Sequence, residues 1–225
     1  AEEACTSLKK AMSLLDKFDT KIVASIKETE TEIDMYEDKL GTYLVKLSRE
    51  SLTMDDSHEI SNLLHSIGDF ERMGDHAINI CEVAQEIHDK GLTFSPDATE
   101  EIHVISDALT EILDMTSKAF INEDIELAKC VEPLEQIIDS LKKKMKSHHI
   151  VRLQKDECTI ETGFVFSDLV TNYERVADHC SNVAVCLIQV SNDSFDTHEY
   201  LNHVKADGEN DFEENYEMYK NKYRI

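Results

Sequence analysis

The chain has no tryptophan, only two prolines and only six glycines in 225 residues. So few turn-forming residues exclude a fold of many short elements, so the elements are expected to be few and long. No apolar run approaches the ~20 residues that span a bilayer as a helix, and no signal peptide opens the chain. No Cys-x-x-Cys pair occurs among Cys5, Cys81, Cys130, Cys158, Cys180 and Cys186. Several of these fall in apolar helical stripes, where a thiol behaves as a small hydrophobe. They read as reduced and buried, which excludes a disulfide framework and places the protein in the cytosol. Basic residues are also scarce. With 23 Lys and Arg against 47 Asp and Glu, the formal net charge is −24. Such a surface repels nucleic acid and anionic membrane and favours cations or basic partners. No nucleophile–His–acid set, phosphate-cradling glycine loop or P-loop is present. Position 1 is Ala rather than Met, which fits a piece of a longer protein.

What the chain does contain is a duplication. The stretch Asp69-Phe70-Glu71-Arg72-Met73-Gly74-Asp75-His76-Ala77-Ile78-Asn79-Ile80 returns as Asn172-Tyr173-Glu174-Arg175-Val176-Ala177-Asp178-His179-Cys180-Ser181-Asn182-Val183, at an offset of 103 residues. Glu, Arg, Asp, His and Asn recur at the same spacing, and the apolar positions keep their packing character. Around each copy runs an apolar stripe with steps of four and three. The first is Leu63, Ile67, Phe70, Gly74, Ala77, Cys81; the second is Phe166, Val170, Tyr173, Ala177, Cys180, Ala184. This is a coiled-coil-like seam with small residues at its centre. An earlier stripe runs Ile22, Ile26, Thr29, Ile33, Tyr36, Leu40, Leu44, Leu47.

The pattern predicts an all-α fold: a tandem pair of three-helix bundles, six long helices in all, plus a short C-terminal helix. The predicted spans are 2–18, 20–50 and 56–90 in the first repeat, and 97–121, 124–147 and 157–191 in the second. Asp19 and Asp124, 105 apart, are candidate N-caps of equivalent helices. Pro133 inside a predicted helix implies a kink or a late start. The domain division is therefore 1–92, 97–191, and a remainder 192–225 made of an acidic linker and an aromatic helix. Phe212, Tyr216, Tyr219 and Tyr223 form the stripe of that helix, which is expected to dock on its own bundle.

Acid pairs at i and i+4 are common by chance in so acidic a chain, but four of them occupy repeat-equivalent places. Glu71/Asp75 matches Glu174/Asp178, and Glu30/Asp34 matches Glu135/Asp139 at an offset of 105. All eight stand one position past an apolar stripe residue, so they flank the seam where two helices meet. Two clusters of four carboxylates are expected. Gathering like charges is unfavourable, so each cluster is a candidate metal site, and oxygen donors without thiolate suit Mg, Ca, Mn or Fe. The plainer role is that of solvated helix-edge acids paired with Arg72 and Arg175. His76 and His179 are candidate imidazole ligands, against the commoner role of a hydrogen-bonded histidine. Asn79 and Asn182 are candidate accessory oxygen ligands.

Two three-helix repeats, each ending in Glu-Arg-x-x-Asp-His-x-x-Asn and carrying acid pairs on two helices, resemble the PhoU family. Val131-Glu132-Pro133-Leu134-Glu135, the stretch Arg152-Leu153-Gln154-Lys155-Asp156-Glu157-Cys158 and the tail Lys222-Tyr223-Arg224-Ile225 are most similar to the PhoU-like C-terminal domain of bacterial sodium/phosphate cotransporter-family proteins. The resemblance implies multinuclear metal binding through the acid pairs, with Fe, Zn, Mn or Mg as the ion. It implies regulation of phosphate uptake and signalling rather than catalysis. It further implies a membrane permease domain as partner, in the same chain or in a complex, and a cytoplasmic position tethered to the inner face of the plasma membrane. A second copy of the chain is a candidate partner; nucleic acid is not.

Two alternatives stand beside that reading. One is a free-standing PhoU-type regulator of phosphate transport and signalling. The other is a di-metal carboxylate enzyme, but such sites use Glu-x-x-His on two helices, and Gly74 and Ala177 occupy the histidine positions. The repeats are also unequal. Glu37 and Asp38 follow Asp34, whereas Lys142 and Lys143 follow Asp139. The first cluster is therefore expected to hold a cation more tightly than the second. Lys144, Lys146, His148, His149, Arg152 and Lys155 gather nearby, either as partners of a helix C-terminus or as a docking patch.

Overall fold

Asp19, Thr53, Ser95 and Asp124 each accept a backbone N–H at the start of a helix, as N-caps do. The computed structural model describes residues 1–192 and 210–225. In chain order its helices are α1 (Glu2–Asp16), α2 (Thr20–Leu47), α3 (Met54–Lys90), α4 (Pro96–Asn122), α5 (Ile125–Lys129), α6 (Val131–Gln154), α7 (Ile160–Asn192) and α8 (Asn210–Lys222). No strand occurs among the described residues. Thr53 and Asp56 form a reciprocal capping box that fixes the start of α3. Gly91 ends α3 in the left-handed region, with φ of 60°, where glycine carries no Cβ penalty. None of the described helices is long and apolar enough to cross a membrane.

Six long helices and a short C-terminal one match the expectation, with three adjustments. Helix α1 stops at Asp16 and α2 at Leu47, each short of the predicted end. The helix predicted over 124–147 is two helices. The chain breaks at Cys130, and Pro133 sits in the first turn of α6, where its missing N–H costs nothing. Helix α6 then runs on to Gln154, beyond the predicted end. The acidic linker predicted after residue 191 lies almost wholly outside the described residues.

Helices α1, α2 and α3 pack together, as do α4, α6 and α7, and α3 lies against α7. One continuous apolar core runs through both halves. It joins Leu8, Ile26, Met73 and Ile80 to Ile105, Leu113, Leu134, Phe166 and Tyr173. Helix α8 docks on the second half as expected: Tyr219 and Tyr223 are buried. The Tyr219 hydroxyl reaches Met115 Sδ at 3.3 Å, Lys222 pairs with Glu111 at 2.8 Å, and the Tyr223 hydroxyl bonds the same carboxylate.

The basic residues near the end of α6 are mostly engaged inside the fold. His148 and Arg152 both hold Glu101 of α4, at 2.6 and 2.9 Å, and Lys146 donates to Thr171 at 3.1 Å. Arg152 also lies over the Phe166 ring. They tie α4, α6 and α7 to one another, while Lys144 and Lys155 remain exposed.

Candidate metal centres

The carboxylates converge because of a close helix crossing. At the α2–α3 contact, a Cβ built on Gly74 would stand 3.3 Å from Ile33 Cδ1. Glycine leaves room there for the Ile33 side chain to pack against the α3 backbone. Asp34 follows Ile33 and Asp75 follows Gly74, so the crossing brings both acids to its edge. Glu30, one turn earlier on α2, joins them: ligand atoms of Glu30, Asp34 and Asp75 all lie within 4.8 Å of one another. No Lys or Arg ion-pairs with any of the three among the described residues. Glu71 stands beside this group rather than in it. Its carboxyl is pushed upward by burial first, then by Asp75, Asp34 and Glu37, with Arg72 opposing. Burial and the charges of Asp34 and Asp75 raise Glu30 as well. Glu37, singled out in the sequence, does add negative potential here.

The second cluster has the same residues in a different electrostatic state. Glu135, Asp139, Glu174 and Asp178 line one cavity, with Gln136, Ser140, Lys143 and Tyr216. Lys142 ion-pairs with Glu174 at 2.7 Å and Lys143 with Asp139 at 2.5 Å. Glu135 is pushed up to about 8, by burial first and then by Glu132 and Asp178. In that protonated form its carboxyl donates to Asp178, whose own titration is also raised, chiefly by burial. Two lysines and a proton therefore neutralise what the first cluster leaves bare.

The donor set of the first cluster fits a hard cation: three carboxylates, mutually close and lacking a basic partner. The second offers the same oxygens only after Lys142 and Lys143 are displaced. Tyr216 in its lining was missed in the sequence, because α8 follows a long intervening segment and nothing in its stripe says where it docks. Glu132 was also missed; it accepts from Ser181 at 2.5 Å, just behind Glu135.

The motif histidines turn away from the carboxylates to the contact between the halves. His76 Nδ1 bonds Asn172 Oδ1 at 2.8 Å, and His179 Nδ1 bonds Asp69 Oδ1 at 2.9 Å. Position 69 is the repeat partner of 172, and 76 of 179, so the two bonds are repeat-equivalents of one another. The rings of His76 and His179 face each other with centroids 5.5 Å apart. Burial holds His76 toward its neutral form. Asn182 donates to Asp69 at 3.4 Å and Asn79 lies 3.5 Å from His76. These four residues read as candidate ligands from spacing alone. A helix places residues one position apart on faces about a quarter-turn away, and here that step separates the cluster from the interface.

A groove of about 730 Å³, lined in part by His58, His65, Arg72 and Gln189, runs between α3 and the end of α7 and shares no residue with either cluster.

A family model described as "PhoU domain" matches residues 1–84 and 102–187. A Thermotoga maritima protein named "Phosphate-specific transport system accessory protein PhoU homolog 1" is 22% identical over 185 residues, covering 82% of this chain and 79% of that one. A Pseudomonas aeruginosa "Phosphate-specific transport system accessory protein PhoU homolog" is 23% identical over 201 residues, covering 89% and 82%. The crystal structure of PhoU from Pseudomonas aeruginosa superposes with a TM-score of 0.79 at 21% identity, over 86% of this chain and 92% of that one. The phosphate transport system regulatory protein PhoU from Streptococcus pneumoniae gives a TM-score of 0.73 at 20% identity, over 85% and 89%. At these identities the structures establish a shared fold.

Proposed function

From the premise that this chain belongs to the PhoU family, we propose that it is a non-enzymatic regulatory accessory protein of phosphate transport that carries a cation in its first carboxylate cluster. The relatives' names support the accessory role. The narrower reading, a domain attached to a sodium-dependent phosphate permease, finds no support in those names, and the free-standing type of regulator takes its place. The cation reading rests on one observation. Glu30, Asp34 and Asp75 gather within 4.8 Å with no ion pair to offset them. An accessory protein with a net charge of −24 meets a transporter or sensor through a surface that a bound cation locally neutralises.

The second cluster binds more weakly on this reading, since Lys142 and Lys143 compete for its oxygens. After identical dialysis against limiting Mn, Fe or Zn, Asp75→Asn is expected to lose more metal than Asp178→Asn. Equal loss, or greater loss from Asp178→Asn, overturns the ranking, and no retention by the unaltered protein removes the cation altogether. The regulatory half is tested separately. A host lacking the gene is expected to take up phosphate abnormally at high external phosphate, and the intact gene to restore it. Unchanged uptake excludes the role.

A further inference from the structure

The cysteines of this chain are not alike. Cys5, Cys81, Cys180 and Cys186 are buried, as the sequence suggests, but Cys130 and Cys158 are only half-buried. Burial pushes up the thiols of Cys5, Cys81, Cys130, Cys180 and Cys186, and at Cys130 the charges of Glu126 and Asp124 add to it. A thiol held in its protonated form is a poor nucleophile. Cys158 differs in what stands beside it: its Sγ lies 3.7 Å from His149 Nδ1.

Three neighbours hold His149 in that place. Its ring stacks on Phe166 of α7, with centroids 5.5 Å apart and planes at 29°. Arg152, three residues on along α6, lies over the same ring at 5.4 Å. Gly163 supplies the room, because a Cβ there would stand 2.2 Å from His149 Nε2. Burial first, and then the Arg152 charge, hold the imidazole below the ordinary histidine range, with Glu101 opposing. A neutral imidazole is able to take a proton. Cys158 itself stands just ahead of α7, where Thr159 accepts the Thr162 N–H at 3.1 Å. The positive end of a helix favours a thiolate. A nucleophile, a base within reach and a scaffold that orients the base are the parts of an activated thiol.

We propose that Cys158 is a modification site, at which the thiol paired with His149 exchanges with a low-molecular-weight disulfide. His149 takes the thiol proton at Nδ1. The Cys158 sulfur attacks one sulfur of the disulfide, whose S–S bond breaks as the new S–S bond forms. The other half leaves as a thiolate and receives the proton from His149. The products are a mixed disulfide on Cys158 and one free small thiol, so no further oxidant or reductant is consumed. The adduct stands in the turn between α6 and α7, and a second small thiol removes it by the reverse step. The inference is independent of the metal and transport readings.

The full chain is treated with oxidised glutathione near pH 7, and adducts are located by peptide mass spectrometry. One adduct per chain is expected, on Cys158, formed about tenfold faster than any on Cys130. His149→Gln is expected to slow it about tenfold, since a thiol is a few per cent ionised near neutrality and needs less help than a hydroxyl. That deficit is expected to vanish near pH ~10, where thiols ionise unaided. Of the other charged groups facing His149, Arg152 and Glu101 hold each other in an ion pair, so the rate reads the ionisation of the thiol. Gly163→Ala crowds the imidazole out while suiting the helix, and is expected to slow the reaction as much. Faster modification of Cys130, or a His149→Gln rate equal to the parent's, overturns the proposal. So does a deficit that persists unchanged near pH ~10, since the histidine then only shapes the turn.

Discussion

Glu135 illustrates how one carboxyl can set a pH response. Its folded value, pushed up to about 8 by burial and by Glu132 and Asp178, compares with an ordinary glutamate near ~4.3. The folded state thus holds the proton more tightly than the unfolded chain. Its contribution to stability is complete below the ordinary value and is lost as pH rises through about 8. Glu135→Gln keeps the shape and the donor to Asp178 but removes the ionisation. In chelator, the variant is expected to melt like the parent near pH 5. It is expected to melt above the parent near pH 9, by roughly 2–4 °C for each kcal/mol relieved. Parallel melting curves against pH would show that Glu135 is not the titrating group. The first cluster lacks a comparable internal proton bond, and no residue code announces that difference. Of the eight acids named from the sequence, Glu30, Asp34 and Asp75 gather in one group with Glu71 beside it, and Glu135, Asp139, Glu174 and Asp178 line one cavity. The sequence also flagged Lys142 and Lys143, but whether a lysine reaches its own helix's aspartate or the opposite glutamate depends on side-chain reach across the crossing.

At the level of helices, polar bonds from His76 to Asn172 and from His179 and Asn182 to Asp69 cross the apolar seam between α3 and α7. Asp69, 6% exposed, accepts from His179. Losing Asp69 strips His179 of this partner, and losing His179 leaves Asp69 with only the longer bond from Asn182, each at about 1–3 kcal/mol. Asp69→Ala and His179→Ala are each expected to lower stability by that amount in urea unfolding. The double variant is expected to lose less than their sum, by about 0.5–3 kcal/mol. Strict additivity would mean the pair is not coupled. The helices themselves were largely legible beforehand, because periodicity and caps such as Asp19, Asp124 and Gly91 are local facts. Pro133 announced a discontinuity, but not that Cys130 would be the break, since helix ends shift by a residue or two with tertiary packing. The histidines were legible as motif residues and not as interface residues. Their role depends on which helix face meets the other half, and the repeat pattern is silent on that. The stripe of α2 reads in the sequence as core throughout, from Ile22 to Leu47, whereas Tyr36 and Leu40 within it are 52% and 45% exposed.

The whole molecule is two copies of one plan joined face to face. Position 69 accepts and position 76 donates on the same helix, and the partner helix offers the same two positions at 172 and 179 in the opposite direction. A contact in which each side presents both halves of the bond is self-complementary, the signature of an isologous dimer. It follows that one repeat already contains everything needed to recognise a second copy of itself. Residues 1–92 expressed alone are expected to sediment as a dimer, with Asp69 of each copy against His76 of the other, and Asp69→Ala is expected to shift it toward monomer. A monomer unaffected by that change would refute this. The covalent link at Gly91–Ser95 then serves less to build the interface than to decide which two surfaces share it. Once joined, the halves are free to diverge, one keeping bare acids and the other acquiring lysines, a division of labour that two identical subunits cannot make.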